Sequence, residues 1–157
     1  MLDRLDRSEH DVLAAEPTWV AVTVGVNDVW HRLDGRGGVP LRAFRTAYRE
    51  LLRPLRARAI RVVCLTPTVL GEDRSSDTHR ELGRCAAVIE AEALVARARV
   101  ADMHRAFLPL LGHRRLTMDG VHMNLPGNVL MADTLYGALH EPPRPAVVIG
   151  RAQVPAS

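Results

Sequence analysis

Three short apolar runs, set apart by longer amphipathic stretches, constrain this chain more than any other feature. They are Trp19-Val20-Ala21-Val22-Thr23-Val24, Ile60-Arg61-Val62-Val63-Cys64-Leu65 and the shorter Arg99-Val100-Ala101-Asp102. Apolar residues follow one another in these runs instead of alternating, which suits strands buried on both faces, as in a parallel sheet. Parallel neighbours need crossovers of a dozen or more residues, and the stretches between the runs supply them. Pro40 suits the first turn of a helix reaching about Ala57, with Pro54 as a kink or early end. Thr78 to Arg97 is helical by the spacing of Leu82, Cys85, Ala86, Ile89 and Ala93. His104 to Leu111 reads as a short helix. A last helix follows Asn124, a side-chain cap, with Pro126 in its first turn, and ends near Leu139. Before the first strand, Leu2, Leu5, Val12 and Leu13 predict a helix over Leu2 to Ala15, closed by Pro17. His31 to Val39 reads as a glycine-rich loop, and the stretch after Thr66-Pro67-Thr68 as a polar loop through Asp77. The alternation predicts an α/β domain over residues 1–140, with a parallel sheet and right-handed crossovers. The proline-rich tail, 141–157, is expected to be loosely ordered.

At 157 residues the chain fits one domain with a real core. All of its basic residues are arginines, and the net charge is +3, so nucleic acid is the first partner to weigh. The arginines from Arg42 to Arg61 alternate with Leu41, Phe44, Tyr48, Leu51, Leu52 and Leu55, the pattern of a solvated helix face, and no nucleic-acid motif accompanies them. Cys64 and Cys85 lack metal-ligand spacing and read as buried thiols in a reducing, cytoplasmic setting. His31, His79, His113 and His140 are scattered, with no metal-ligand spacing, and are expected to be solvated; no metal or cofactor is expected. Neither a Gly-x-Gly-x-x-Gly nor a Gly-x-x-x-x-Gly-Lys pattern occurs, which leaves a nucleotide site without support. Met1-Leu2-Asp3-Arg4-Leu5-Asp6 is charged from its start and lacks a signal-peptide core, and no segment is long and apolar enough to span a membrane.

In open parallel sheets, ligands bind beyond the carboxyl ends of the strands. Gly25-Val26-Asn27-Asp28 stands at one such end and Thr66-Pro67-Thr68 at another, and the loop Thr117-Met118-Asp119-Gly120-Val121-His122-Met123-Asn124 can reach the same rim. Taken alone, Asp119 and His122 are either an acid–base pair or a helix-start turn with a surface histidine. Asn27 and Asp28 are either part of a site or an Asx-type turn. Asp102 and His104 flank a strand end and read as structural, and Trp19 as a packing residue.

Two of these stretches resemble blocks of the SGNH hydrolase family, the GDSL-type esterases and lipases. Gly25-Val26-Asn27-Asp28 is similar to the family's Gly-x-Asn-Asp block after a parallel strand. Asp119-Gly120-Val121-His122-Met123-Asn124 is similar to its last block, Asp-x-x-His. Together, in this order, they are more specific than either alone. The resemblance implies a three-layer, flavodoxin-like parallel sheet and a Ser-His-Asp mechanism acting on a small-molecule ester. It implies His122 as general base and Asp119 as the group that orients it. It implies Asn27 as an oxyanion donor, with Gly25 and Asp28 shaping the turn that carries it.

The family's first block, a strand ending in Gly-Asp-Ser, carries the nucleophile, and no Gly-Asp-Ser occurs in this chain. Ser8, Ser75, Ser76 and Ser157 stand where the family does not use a serine for attack. The expectation is an N-terminally incomplete, truncated version of the fold with little or no esterase activity. The strand at Trp19–Val24 would then have an open apolar edge able to pair with another chain. Two alternatives keep the α/β fold: a non-catalytic, decayed relative that binds a small molecule, and a doubly wound small-molecule binder unrelated to esterases.

Overall fold

The computed structural model describes residues 11–140. The proline-rich tail and most of the helix expected over Leu2 to Ala15 lie outside the described residues; residues 11–14 are helical. Three parallel strands form one sheet in the order β1 (Trp19–Thr23), β2 (Arg61–Leu65), β3 (Arg99–Ala101). Trp19 pairs with Arg61 and Thr23 with Leu65 along one seam, and Val63 with Arg99 and Leu65 with Ala101 along the other.

Successive side chains on a strand point to opposite faces, and the two faces of this sheet are covered unequally. Val22, Val62 and Cys64 belong to a cluster completed by Val29, Phe44, Tyr48, Leu52, Leu55, Leu82, Cys85, Val88, Ile89 and Ala93. Those residues come from α1 (Val26–Leu33), α2 (Leu41–Ala57) and α3 (Asp77–Ala96). On the opposite face Val63, Leu65 and Ala101 pack against Met131, Leu135, Ala138 and Leu139 of α5 (Leu125–His140). Helices thus lie on both sides of the sheet, in three layers. The second face is only partly roofed: Ala21 and Thr23 of β1 are exposed, as are Leu125, Val129 and Tyr136 of α5. The guanidinium groups of Arg61 and Arg99 lie over the Trp19 ring, 4.6 and 5.8 Å from its centre.

The remaining short elements follow β3. Asp102 caps α4 (Met103–Phe107) by accepting a hydrogen bond from the Arg105 N–H at 3.1 Å, and a 3₁₀ turn spans Leu108–Leu110. Asp102 and His104 are therefore structural, as expected; Thr66 Oγ1 donates to Asp102 and accepts from the His104 N–H. Pro54 lies inside α2, near its end, and, having no N–H, cannot supply the intrahelical donor that the Glu50 carbonyl oxygen would otherwise receive.

Two expectations need correction, and a third needs an addition. The stretch from His31 onward does not start as a loop: α1 continues to Leu33, buries Val29, and is tied down by an ion pair between Arg32 and Glu81 at 2.6 Å. Long-range contacts to α3 decide its structure, and they are invisible in the local pattern. The arginines of α2 are exposed, as the solvated-face reading expects, and two of them also reach a buried acid. Arg49 donates two hydrogen bonds of 2.9 Å to Glu92, and Arg45 pairs with the same carboxylate at 3.2 Å. Glu92 is buried, and the hydrogen bonds from Arg49 hold its carboxyl below the usual range. Finally, His79 is not solvated: it lies buried beside His104, with ring centres 6.3 Å apart. His31, His113 and His140 are exposed.

Both thiols are buried, as expected, and burial pushes Cys64 up to about 11 and Cys85 to about 12. Such thiols stay protonated and unreactive near neutrality. Among the described residues no helix is long and apolar enough to cross a membrane, and no cluster of three or more metal-ligating side chains forms.

Candidate active site

Two arms meet the carboxyl rim of the sheet. The first leaves β1 at Gly25, which begins α1. Its φ of +114° is one that side chains rarely adopt, and a Cβ there would lie 2.8 Å from Cys85 Sγ and 3.2 Å from Pro67 Cγ. Glycine is required on both counts. Gly25 O accepts from the Val29 N–H at 3.0 Å, so the helix starts at once, without a side-chain cap. Asn27 falls in its first turn with an exposed side chain; Asp28, half-buried, supplies a negative charge at the helix start, which favours it.

The second arm is the loop Thr117–Met123, which closes on itself. The Met118 N–H donates to His122 O at 2.8 Å, and Thr117 bridges Met123 as a single antiparallel pair. Gly120 turns the chain at φ +89°. Asp119 does two jobs inside this turn. Its Oδ1 accepts the N–H groups of Val121 and His122 at 3.0 and 2.8 Å, and its Oδ2 accepts from His122 Nδ1 at 2.7 Å. These bonds, the His122 N–H foremost, then the His122 ring, hold its carboxyl well below the usual range. A carboxylate can only accept here, so the proton sits on Nδ1 and the lone pair is on Nε2. Both side chains are open to solvent, His122 by 71% and Asp119 by 55%.

The segment after β2 joins the arms. Pro67 abuts Gly25, and four residues on, the Gly71 N–H donates to Gly120 O at 2.7 Å. The neighbouring Glu72 accepts from the Thr117 N–H at 3.2 Å and from the Thr117 hydroxyl. Beneath the loop, Val69, Phe107, Leu111 and Leu116 form a small core. Gly127 lets the first turn of α5 press against it, since a Cβ there would run into the Leu116 carbonyl oxygen. Asn124 starts α5 as expected, accepting from the Gly127 N–H at 3.0 Å.

Asp119 and His122, paired in the sequence reading, are hydrogen-bonded; Asn27 lies in the first turn of α1, just past the end of β1, with an exposed side chain. Glu72 and Gly127 were missed. Glu72 lies in an ordinary polar loop 45 residues from the threonine it serves, and nothing local marks it. Gly127 could have been noticed as a glycine inside an apolar helix, a place where close packing is the usual reason. The two described serines are otherwise engaged. Ser75 Oγ donates to Asp73 at 2.7 Å, and Ser76 Oγ caps α3 by accepting from the His79 N–H.

Known proteins resemble this chain in sequence and in fold. The model of the GDSL-like Lipase/Acylhydrolase family matches residues 1–130. An acetylxylan esterase of Geobacillus stearothermophilus is 26% identical over 133 residues, covering 80% of this chain and 61% of that protein. The chain thus spans less than two thirds of the length of this curated relative. Among solved structures, an acetyl xylan esterase 31% identical to this chain aligns with a TM-score of 0.77, over 85% of this chain and 72% of its own. An acetylxylan esterase structure from Geobacillus stearothermophilus gives a TM-score of 0.80 at 23% identity, over 89% and 67%. An alpha/beta hydrolase enzyme from the metagenome of Lake Arreo, Spain, gives 0.79 at 24%, over 87% and 66%; these last two speak to the fold alone. With a family match over most of its length and the same α/β architecture as these enzymes, the chain belongs to the GDSL-like lipase/acylhydrolase family.

Proposed function

We propose that His122, Asp119 and Asn27 are the base, orienting and oxyanion parts of a serine-type ester-hydrolysing site. Acetyl esters of carbohydrates are the first substrates to try. The observation that carries this reading is the hydrogen bond from His122 Nδ1 to Asp119, which leaves Nε2 open to solvent. In the reaction Nε2 takes the proton of an attacking serine hydroxyl as its oxygen bonds the acyl carbon. Asp119 steadies the imidazolium that results, and the Asn27 amide donates to the carbonyl oxygen as it becomes negative. The proton then passes from Nε2 to the leaving alcohol. A water repeats the cycle and releases the acid, so the chemistry needs no metal or cofactor. The relatives named as acetylxylan esterases supply the substrate class. Catalytic mutants of the Geobacillus stearothermophilus enzyme replace a serine in one structure and an aspartate in another.

Neither described serine is hydrogen-bonded to His122, so the chain by itself is expected to hydrolyse esters poorly or not at all, and to resist a serine-directed fluorophosphonate. That same observation favours the second reading, a non-catalytic binding protein on this fold. Hydrolysis of p-nitrophenyl acetate and acetylated xylo-oligosaccharide, by the assembly in which the chain naturally occurs, separates the two. Activity that His122→Ala reduces by about a thousandfold or more supports the enzyme; activity indifferent to the substitution sinks it.

The reading extends to self-association. Among the described residues β1 pairs on one side only, and Ala21 and Thr23 are exposed beside it. An unpaired parallel edge of this kind can take up a strand from a second copy. Light scattering at high protein concentration should show dimers or larger species, and a monodisperse monomer would remove this part of the proposal.

A further inference from the structure

We propose that Glu72 is a positioning residue for the Asp119–His122 pair. The inference rests on the reading of that pair as the acid–base part of the site. Asp119 and His122 are exposed, so packing does not hold their side chains; the backbone of the loop must do so. Two contacts tie that loop to the segment after β2, and both come from consecutive residues. Gly71 takes the Gly120 carbonyl oxygen through its N–H at 2.7 Å. Glu72 takes Thr117, which is only 1% exposed, through both the N–H and the hydroxyl. Having donated to Glu72, the Thr117 hydroxyl accepts from the Gly120 N–H at 3.2 Å. Gly120 is therefore fixed at both its N–H, by relay from Glu72, and its C=O, directly from Gly71.

Gly120 sits between the two members of the pair, at a positive φ that makes it the loop's softest joint. The carboxylate at Glu72 thus sets the turn on which Asp119 faces His122. A charged acceptor suits the task, because hydrogen bonds to an ionised carboxylate are roughly twice as strong as neutral ones. Arg115 and Asn124 also brace this stretch from its two flanks, donating to Thr117 O at 3.1 and 3.4 Å, whereas Gly71 and Glu72 reach the joint at Gly120.

The experiment reads the tautomer of His122 by ¹⁵N–¹H correlation in the full chain, assigned against His122→Gln. The wild-type protein should hold the Nδ1–H form that Asp119 stabilises. Glu72→Ala should cut the share of that form about twofold or more, toward the Nε2–H preference of a free imidazole. Glu72→Gln, which keeps an acceptor oxygen in place, should restore it. Thr117→Val, which removes only the relay hydroxyl, should reproduce the loss, and should add nothing to Glu72→Ala in the double variant. A folded Glu72→Ala protein with the wild-type tautomer overturns the proposal. If Glu72→Ala does not fold, Thr117→Val and Glu72→Asp, which shortens the reach by one methylene, decide by the same measurement. If wild-type His122 is already Nε2–H, the acid–base reading itself fails, and does so independently of Glu72.

Discussion

Asn27 follows the end of β1 and His122 lies on the loop before α5; the arm that carries Asn27 is held by packing and the arm that carries His122 by hydrogen bonds. Gly25 is wedged against Cys85, Pro67 and Phe44, and Val29 is sunk in the main core. The other arm has an exposed acid and an exposed imidazole on a loop whose order comes from Asp119, Thr117, Gly71 and Glu72. A packed arm fails by losing stability, with little regard to pH. A hydrogen-bonded arm fails by losing direction, and its state follows protonation. On the proposed roles, an oxyanion donor has to be in place before charge develops, which suits the packed arm, and a proton carrier needs water and room, which suits the open one.

Four substitutions test the contrast, from largest effect to smallest. Phe44→Ala removes a buried ring that lies 3.6 Å from where a Gly25 Cβ would be. It should cost about 3–5 kcal/mol, lowering the melting temperature by roughly 10 °C or more at any pH near neutral. Gly25→Ala should follow at about 2–4 kcal/mol, combining the strained φ with a close approach to Cys85. An unchanged melting temperature in either variant would break the idea that packing holds this arm.

The third substitution lies under the loop. Burial pushes the His79 imidazole down, outweighing the nearby Gly71 backbone, which favours the proton, while His104 opposes it. The unfolded chain therefore binds a proton there more readily than the folded one. Stability is full above about pH 6.5 and falls as pH drops through the interval below it. His79→Phe should flatten that limb of the stability–pH curve, measured by urea unfolding at several pH values. The smallest effect is expected of Asp119→Asn. Its carboxylate is held low by the His122 N–H, so its contribution is full above the ordinary carboxylate range and drains away as pH falls below it. Because the group is exposed, the neutral-pH melting temperature should barely move, while the share of His122 in the Nδ1–H form should fall. A large drop in stability instead would mean that this acid holds the fold and not the imidazole.

The same contrast explains what could be read from residues alone. Strand β2 announced itself because burial on both faces leaves the run Val62-Val63-Cys64-Leu65, β1 because it is apolar even where Ala21 and Thr23 are exposed, and the pairing of Asp119 with His122 because its partners are three residues apart. Helix α1 and the Arg45–Arg49–Glu92 cluster were hidden because their partners lie 43 residues or more away in the chain. The burial of His79 was hidden for a related reason: its surroundings come from the segment after β2 and from α4. Glu72 is the extreme case, a carboxylate whose neighbours in sequence resemble any surface loop.

One edge residue carries its own reporter. Trp19, at the start of β1 with the guanidinium groups of Arg61 and Arg99 over its ring, is one of only two indoles in the chain. The other, Trp30, sits on α1 beside Arg36. A neighbour zipping onto β1 would strip water from the first indole and leave the second as it was. The blue shift of intrinsic fluorescence with concentration would then register the encounter without any label.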